Sequence, residues 1–374
     1  MNRVTNELRV LVFTPGEIFG GAERQALTLM DALRSEGVVC ELLALHDADL
    51  TDRARRADYT VHVLPSRGSF DLRTVSALRQ YLRLKRGYVL SVHGYRASVC
   101  LALAASPSAF RVVKTEHGHG EHDHFPTLQR LKQRVYRIAE NWAMRRLAGC
   151  IVYVTDDLRR RCEHEHRGIE RRVIHNGIAP IDRSATQRPP ELDRASFNVL
   201  MVGRLEKVKG IDCAIRALAS SDMPPSTRLH LVGEGAEQSS LQALTAQLGQ
   251  QNRVTFHGFR TNSYDFIAHA DCLLMPSLHE GLPYTVMEAM ALGTPIVASR
   301  VGGLAEVLVD GQTALLIPPN DAEALALAIR TLHADPTRRA ALRERALAEV
   351  NEKLSARTMA AAYIAAFTEP APGR

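Results

Sequence analysis

Apolar residues along this chain come in short runs separated by amphipathic stretches, and the rhythm breaks once. Residues 8–13, 38–45, 88–92, 110–114 and 150–154 are apolar runs of strand length, whereas 22–36, 72–86 and 128–147 carry apolar side chains at helical spacing. Strand and helix alternating in this way predict a parallel sheet with both faces covered, because parallel neighbours need a crossover of helix length. From Asn176-Gly177 to Pro190 the rhythm gives way to Gly, Pro, Ser and Arg, which marks a boundary. It then resumes, with strands expected at 197–202, 228–232, 254–256, 272–275 and 295–298 and helices between them. An Ala-rich helix follows at 356–367, and Pro370 and Pro372 end it. The expectation is an α/β protein of two similar doubly wound halves, residues 1–178 and 179–355, with residues 356–374 packing back towards the first. Ligands are expected in the cleft between the halves, where loops at the carboxyl ends of parallel strands face each other. No short-period repeat is visible.

Composition narrows this picture. A chain of 374 residues, 45% hydrophobic and 24% charged, has the profile of a soluble globular protein with two cores. No apolar run approaches the length that spans a bilayer. Residues 1–9 hold neither an apolar signal core nor a small-residue cleavage site, so a cytoplasmic location is expected. The cysteines, Cys40, Cys100, Cys150, Cys162, Cys213 and Cys272, stand singly, without metal-ligand or redox spacing, and read as core thiols. A formal charge of +6 favours anionic partners, which include phosphorylated substrates, acidic lipid surfaces and nucleic acid.

The segment from Met275 to Pro295 is the densest in candidate chemistry. A strand ends at Met275, a loop with Gly281 follows, Pro283 suits a first helical turn, and Gly293 with Pro295 closes the helix. Glu280 is then in a loop and Glu288 in the helix. The helix start, near Gly281, Leu282, Pro283 and Tyr284, offers N–H groups to a phosphate or to sugar hydroxyls. Glu288 is flanked almost wholly by apolar residues, so its carboxylate needs a partner, and a ribose diol supplies two donors. The plain alternative is a salt bridge to Arg or an outward-facing side chain.

Next to the first strand of the second half lies Val202-Gly203-Arg204-Leu205-Glu206-Lys207-Val208-Lys209-Gly210. Cations on a tight loop after a strand neutralise a diphosphate, and Arg clamps its oxygens in bidentate fashion; a solvated charged loop is the bland reading. Between the first strand and first helix, Gly20 and Gly21 permit close approach of a ligand to a helix start. The spacing of Gly16, Gly20 and Gly21 is not the dinucleotide fingerprint, and Gly233-Glu234-Gly235 lacks a third glycine, which weakens a nicotinamide-enzyme reading. Glu116-His117-Gly118-His119-Gly120-Glu121-His122-Asp123-His124 holds four histidines among acids. A metal there is the sharp alternative, but the loop lacks a fixed helical ligand spacing, so no metal is expected and His117, at the strand end, is the residue placed to face the cleft.

Taken together, these residues resemble the retaining, two-Rossmann-domain glycosyltransferases of family 4, the GT-B type, over nearly the whole chain. Gly20-Gly21-Ala22-Glu23 is similar to the family's N-terminal glycine loop, Glu116-His117 to its strand-end histidine, and Asn176-Gly177-Ile178 to the start of its hinge. Arg204 and Lys209 match its phosphate cations, and Glu280 and Glu288 its glutamates with seven residues between them. The resemblance implies that Arg204 and Lys209 hold the donor diphosphate and that Glu288 holds the ribose. It implies that Glu280 and His117 contact the transferred sugar, and that the backbone of the 281–284 segment contacts phosphate and sugar. The turn Gly258-Phe259-Arg260 is similar to the base-binding turn. It further implies attack by the acceptor hydroxyl from the side the diphosphate leaves, a phosphate oxygen taking the proton, with no metal and no cofactor. A UDP-sugar is expected before a GDP-sugar, and a saccharide, lipid-linked or small-molecule acceptor in bacterial polysaccharide, lipopolysaccharide or glycolipid synthesis.

The predicted helix at 126–148 sets Arg130, Lys132, Arg134, Arg137, Arg145 and Arg146 among Leu131, Val135, Tyr136, Ile138, Trp142 and Met144. It reads either as a core-facing helix with a solvated basic side or as a peripheral anchor on an anionic membrane surface. Two other functions compete with transfer. Nucleotide-sugar epimerisation on the same fold needs similar cations and acids. Nucleic-acid binding fits the net charge, but an aromatic content of 5% provides few stacking platforms and no binding motif is present, so no nucleic-acid partner is expected.

Overall fold

The computed structural model describes residues 8–17, 19–64, 66, 71–106, 109–118, 127–147, 149–166 and 168–369, and the side chains of 127–133 lie outside the description. The chain forms two compact units, Met1–Ala179 together with Ala356–Arg374, and Pro180–Ser355. Within the described residues the elements of the first unit are β1 (Arg9–Thr14), α1 (Gly21–Ser35), β2 (Val39–Ala44), α2 (Asp49–Arg56), β3 (Thr60–Val63), α3 (Leu72–Arg83), β4 (Tyr88–His93), α4 (Tyr95–Ala104), β5 (Val112–Glu116), α5 (Thr127–Leu147), β6 (Cys150–Tyr153), α6 (Asp156–Arg161) and β7 (Glu170–Val173). The second unit holds β8 (Phe197–Val202), α7 (Ile211–Leu218), β9 (Thr227–Val232), α8 (Gln238–Gln247), β10 (Val254–Gly258), α9 (Ser263–His269), β11 (Cys272–Met275), α10 (Tyr284–Leu292), β12 (Ile296–Ser299), α11 (Leu304–Val307), β13 (Leu315–Ile317), α12 (Ala322–Ala334) and α13 (Pro336–Lys353). The last helix, α14 (Ala356–Thr368), belongs to the first unit.

Each unit is a doubly wound, Rossmann-like parallel sheet. The first runs β3-β2-β1-β4-β5-β6-β7 and the second β10-β9-β8-β11-β12-β13. The strand order reverses between β1 and β4 in one and between β8 and β11 in the other. At such a switch point the two flanking loops diverge to opposite faces and leave a crevice at the carboxyl ends of the strands. Alternation along each strand fills both faces: Leu11, Phe13 and Leu90 enter one core, while Val10, Val12 and Val89 enter the other. Burial on both sides is why the central strands read as continuous apolar runs.

Three strands escape that reading. β3 alternates exposed and half-buried residues, β7 (Glu-Arg-Arg-Val) is half-buried throughout, and β13 is three residues long; all three are edge strands. An edge strand has only one neighbour and a face open to water, so polarity is tolerated there and the apolar signal fades.

α14 packs against α1 because its apolar face completes the first unit's core. Met359, Ala360, Tyr363, Ala366 and Phe367 are buried with Ala26, Leu29 and Met30. The Tyr363 hydroxyl shares hydrogen bonds with Gln25 Nε2 (3.2 Å) and Thr115 Oγ1 (2.8 Å), and Arg111 Nη2 donates to the Ala366 carbonyl at 2.9 Å. Burying Tyr363 and Phe367 contributes about 1.5–3 kcal/mol each, which explains why the chain returns to its first unit. Among the described residues no helix is long and apolar enough to cross a membrane.

Candidate active site

In the second unit, the loops at the switch point carry most of the residues singled out from sequence. After β8 the chain turns through Gly203 to Lys209, and after β11 it runs from Pro276 to Pro283 before α10 begins. The two loops are laced together: Leu278 N–H donates to the Val208 carbonyl at 2.8 Å. Gly210 adopts φ +63°, and a Cβ there would stand 2.0 Å from the Pro276 carbonyl oxygen, so only glycine permits this approach. The crossing brings Lys209 Nζ to 2.6 Å from Glu280 Oε1, which also accepts from Ser277 Oγ at 2.9 Å. Glu280 is buried, so this ion pair lies away from bulk solvent and is stronger than a surface pair. From the other side Gly303 N–H binds the Glu280 carbonyl (3.1 Å), and Gly302, φ +44°, passes so close that a Cβ would meet that oxygen at 2.1 Å.

Arg204 lines the same recess as Lys209, Met275 and Ser277. Its side chain is 77% exposed and touches Glu206 at 2.6 Å. An exposed pair of this kind holds its members weakly, leaving the guanidinium open to an anion. α10 starts at Tyr284 with Pro283 as N-cap in extended conformation, one residue later than the first-turn place expected for that proline. Leu282 and Tyr284 bury their side chains, so what this turn offers a ligand is backbone. Glu288, in the middle of α10, is 2% exposed, which rules out the outward-facing alternative. Phe259 follows the Gly258 turn with its ring 72% exposed and its N–H on Glu234 Oε1 at 3.3 Å; Arg260 contacts Glu191 at 3.3 Å. Gly258 pairs with Gly233, so the β9 and β10 ends sit side by side along the same edge of the sheet as the β8 loop.

In the first unit, Gly20 is the N-cap of α1, with its N–H on Glu23 Oε2 at 3.1 Å, and both Gly20 and Gly21 are exposed. They stand by the β1–β4 switch point, where a cavity of about 280 Å³ is lined by Glu23, His93, Tyr95, Lys114, His117 and Tyr136 among others. His117 is half-buried at the end of β5, and its Nε2 lies 3.0 Å from Nδ1 of buried His93. Burial pushes His93 down to about 4, and burial, then His93 and then the Lys114 ammonium hold His117 well below the usual imidazole range. Both rings are therefore neutral at pH 7. Lys114, 1% exposed, is the reverse case: burial alone would discharge it, but Glu116, in direct contact, and Glu140, at 2.8 Å, more than offset that and keep the ammonium charged.

Lys114, Glu140, His93 and Ser91 were not singled out from sequence as site residues. Two signals for them exist: a lysine directly after the apolar pair Val112-Val113, and the one acid on an otherwise basic helix. The histidine-rich stretch from His119 to His124, the sharp metal alternative, lies outside the described residues. Among the described residues no cluster of three His, Cys, Asp or Glu has metal-binding geometry.

With this geometry in hand, comparison with known proteins assigns the chain. The model of Glycosyltransferase Family 4 matches residues 19–180 and that of Glycosyl transferases group 1 matches residues 182–348. The chain belongs to the family 4 glycosyltransferases. The lipopolysaccharide core biosynthesis glycosyltransferase LpsD of Rhizobium meliloti (strain 1021) is 38% identical over 178 residues, 48% of this family 4 chain and 49% of that protein. The glycogen synthase of Mycobacterium tuberculosis (strain ATCC 25618 / H37Rv) is 34% identical over 247 residues, 63% of this chain and 58% of that one. The match thus spans about half the length of these curated relatives. Among solved structures, Anabaena Alr3699/HepE in complex with UDP superposes with a TM-score of 0.81 at 22% identity, over 95% of this chain and 98% of that one. At that identity the likeness speaks to the fold, which is the GT-B type.

Proposed function

We propose that this family 4 protein is a retaining, metal-independent glycosyltransferase that moves a sugar from a UDP-sugar to an acceptor hydroxyl in bacterial lipopolysaccharide, polysaccharide or glycolipid synthesis. The observation that carries the reading is that Arg204, Lys209 and Ser277 line one switch-point crevice, with Lys209 and Ser277 both tied to Glu280 in the loop that leads into α10. Two cations on one flank and a helix start on the other suit a diphosphate, and negative charge developing on it as the sugar leaves is stabilised by groups already in place. Glu280, tied by Lys209 and Ser277, is positioned for the sugar, and buried Glu288 for the ribose. The exposed Phe259 ring suits stacking on the base. Neutral His117 meets the sugar hydroxyls. UDP is favoured because the Anabaena structure of the same fold holds it, and a lipopolysaccharide-type acceptor because LpsD works in that synthesis.

A panel of nucleotide sugars read by thermal shift tests the donor, since a bound ligand raises stability by mass action. UDP-sugars are expected to raise Tm and to support transfer unaffected by a chelator; an epimer of the donor, formed without acceptor, would make the protein an isomerase instead.

Membrane contact belongs to the same reading. On α5, Arg134, Val135, Ile138, Trp142, Arg145 and Arg146 are exposed while Ala143, Met144 and Leu147 are buried. The helix is core-facing, as one alternative held, yet its solvent side also carries three large apolar residues between arginines. That pattern suits the interface of an anionic leaflet, with the protein peripheral on the inner face of the cell membrane. Sedimentation with anionic vesicles, lost on replacing these arginines and Trp142 by Ser, is the expected outcome, and indifference would remove the membrane from the function.

A further inference from the structure

His117 hydrogen-bonds through Nε2, so of its two nitrogens only Nδ1 remains for a ligand. The partner, His93, is 1% exposed, and its own Nε2 lies 3.3 Å from Oγ of fully buried Ser91. Ser91 and His93 point to the same face of β4 because they are two residues apart, and the parallel register that sets His93 opposite Thr115 delivers His117 to it two residues later. The ring centroids are 5.3 Å apart with planes inclined by 24°, an edge-to-edge arrangement in which a ring N–H points at a ring lone pair.

We propose that Ser91 and His93 are positioning residues for His117, a hydrogen-bonded chain that holds its ring and couples its tautomer to the Ser91 hydroxyl, so that Nδ1 alone is presented to the transferred sugar. The inference rests on the reading of His117 as a sugar contact. Two arrangements are consistent with the hydrogen bonds from Ser91 to His93 and from His93 to His117. If the Ser91 hydroxyl donates to His93 Nε2, His93 Nδ1–H donates to His117 Nε2, and His117 carries its proton on Nδ1 as a donor. If Ser91 accepts instead, His93 carries its proton on Nε2, His117 Nε2–H donates to His93, and Nδ1 of His117 is an acceptor. The serine hydroxyl, able to rotate, lets Nδ1 match whichever role the sugar hydroxyl takes. The ammonium of Lys114, held beside the pair by Glu116 and Glu140, opposes a second proton on His117 and burial opposes one on His93, so the chain shifts tautomers without gaining charge.

The test combines kinetics with imidazole nitrogen-15 NMR on the full chain. His93→Phe keeps the volume and removes the hydrogen bond; kcat is expected to fall roughly 10–100-fold, the range for loss of a group that orients a histidine, with the donor KM changed less than about threefold. His93→Asn places an amide near the old Nδ1 and should recover part of that loss. Ser91→Ala leaves both rings in place, so it reads the chain even if the His93 variants fold poorly. Both Ser91→Ala and His93→Phe should move the paired nitrogen shifts of His117. Unchanged His117 shifts in both variants, or an Asn variant no better than Phe, would overturn the proposal. Should wild-type protein transfer no sugar from any donor, the functional reading fails while the NMR arm still decides the chain.

Discussion

The two units each hold a pair of histidines with nearly the same geometry, and they differ in what surrounds it. In the first unit His93 and His117 lie 3.0 Å apart, nitrogen to nitrogen, with centroids at 5.3 Å; in the second, His230 and His257 show the same two distances. His230 Nε2 meets Asn198 Oδ1 at 3.1 Å, and the amide nitrogen of Asn198 is occupied by the Asp193 and Ser196 carbonyls. An amide oxygen only accepts, so His230 carries its proton on Nε2 and the tautomer is fixed. His257 then packs against the Phe266 ring. The first pair ends instead on a hydroxyl, stands beside a buried cation and opens onto a cavity. Paired rings alone therefore mark no site. A rotatable end, a charge and an opening set the first pair, proposed above as part of a site, apart from the second.

The largest effect expected from breaking this contrast comes from the cation. Lys114→Met leaves half-buried Glu116 and Glu140 without the buried ammonium between them and should cost about 3–5 kcal/mol of stability, the range for breaking a buried pair from one side; urea unfolding measures it. A loss under about 1 kcal/mol would mean that Lys114 is no anchor for the first pair. Next, His117→Ala should lower kcat about 100-fold, close to 2.7 kcal/mol of transition-state stabilisation, with Tm nearly unchanged. His230→Leu should do the opposite, costing about 1–3 kcal/mol by leaving Asn198 Oδ1 unsatisfied while kcat stays within about twofold. If His230→Leu silenced turnover at unchanged Tm, the assignment of the two pairs would be reversed.

A smaller effect concerns pH. His93 and His230 are both pushed by burial from 6.5 to about 4, so between those values the unfolded chain binds protons that the native state refuses. Their contribution is present above pH 6.5, declines as pH falls towards 4 and flattens below it. Tm should accordingly drop from pH 7 to pH 5, and His230→Leu should lessen the slope. The smallest expected effect is that of Arg204→Lys, which keeps the charge but loses the bidentate fork; kcat should fall severalfold with donor binding almost unaltered, as steady-state kinetics would show.

Much of the fold was legible because central parallel strands are buried on both faces and advertise themselves as apolar runs. The edge strands β3, β7 and β13 were not, since one side of each is free to be polar. In the candidate site, Glu288 was conspicuous as a carboxylate on an apolar helix, and Arg204, Lys209 and Glu280 by their place after strands. That Lys209 and Glu280 form one ion pair was not legible. They are 71 residues apart, and neither loop encodes the other's position. His93 was passed over for a similar reason: at the end of an apolar strand it looks like a filler, and only the register between β4 and β5 turns it into the partner of His117.

The amino-acid order by itself determined where the central strands lie, which loops follow their ends and which charges those loops carry, because these depend on spacing over a few residues. Tertiary structure decided which loops adjoin, which carboxylate neutralises which cation, and that α14 closes the first unit 248 residues after Thr115, whose hydroxyl it meets. The physical reason is range. Periodicity and capping act within a turn or two, whereas ion pairs and ring hydrogen bonds take their strength from burial, and burial exists only once the sheets have assembled.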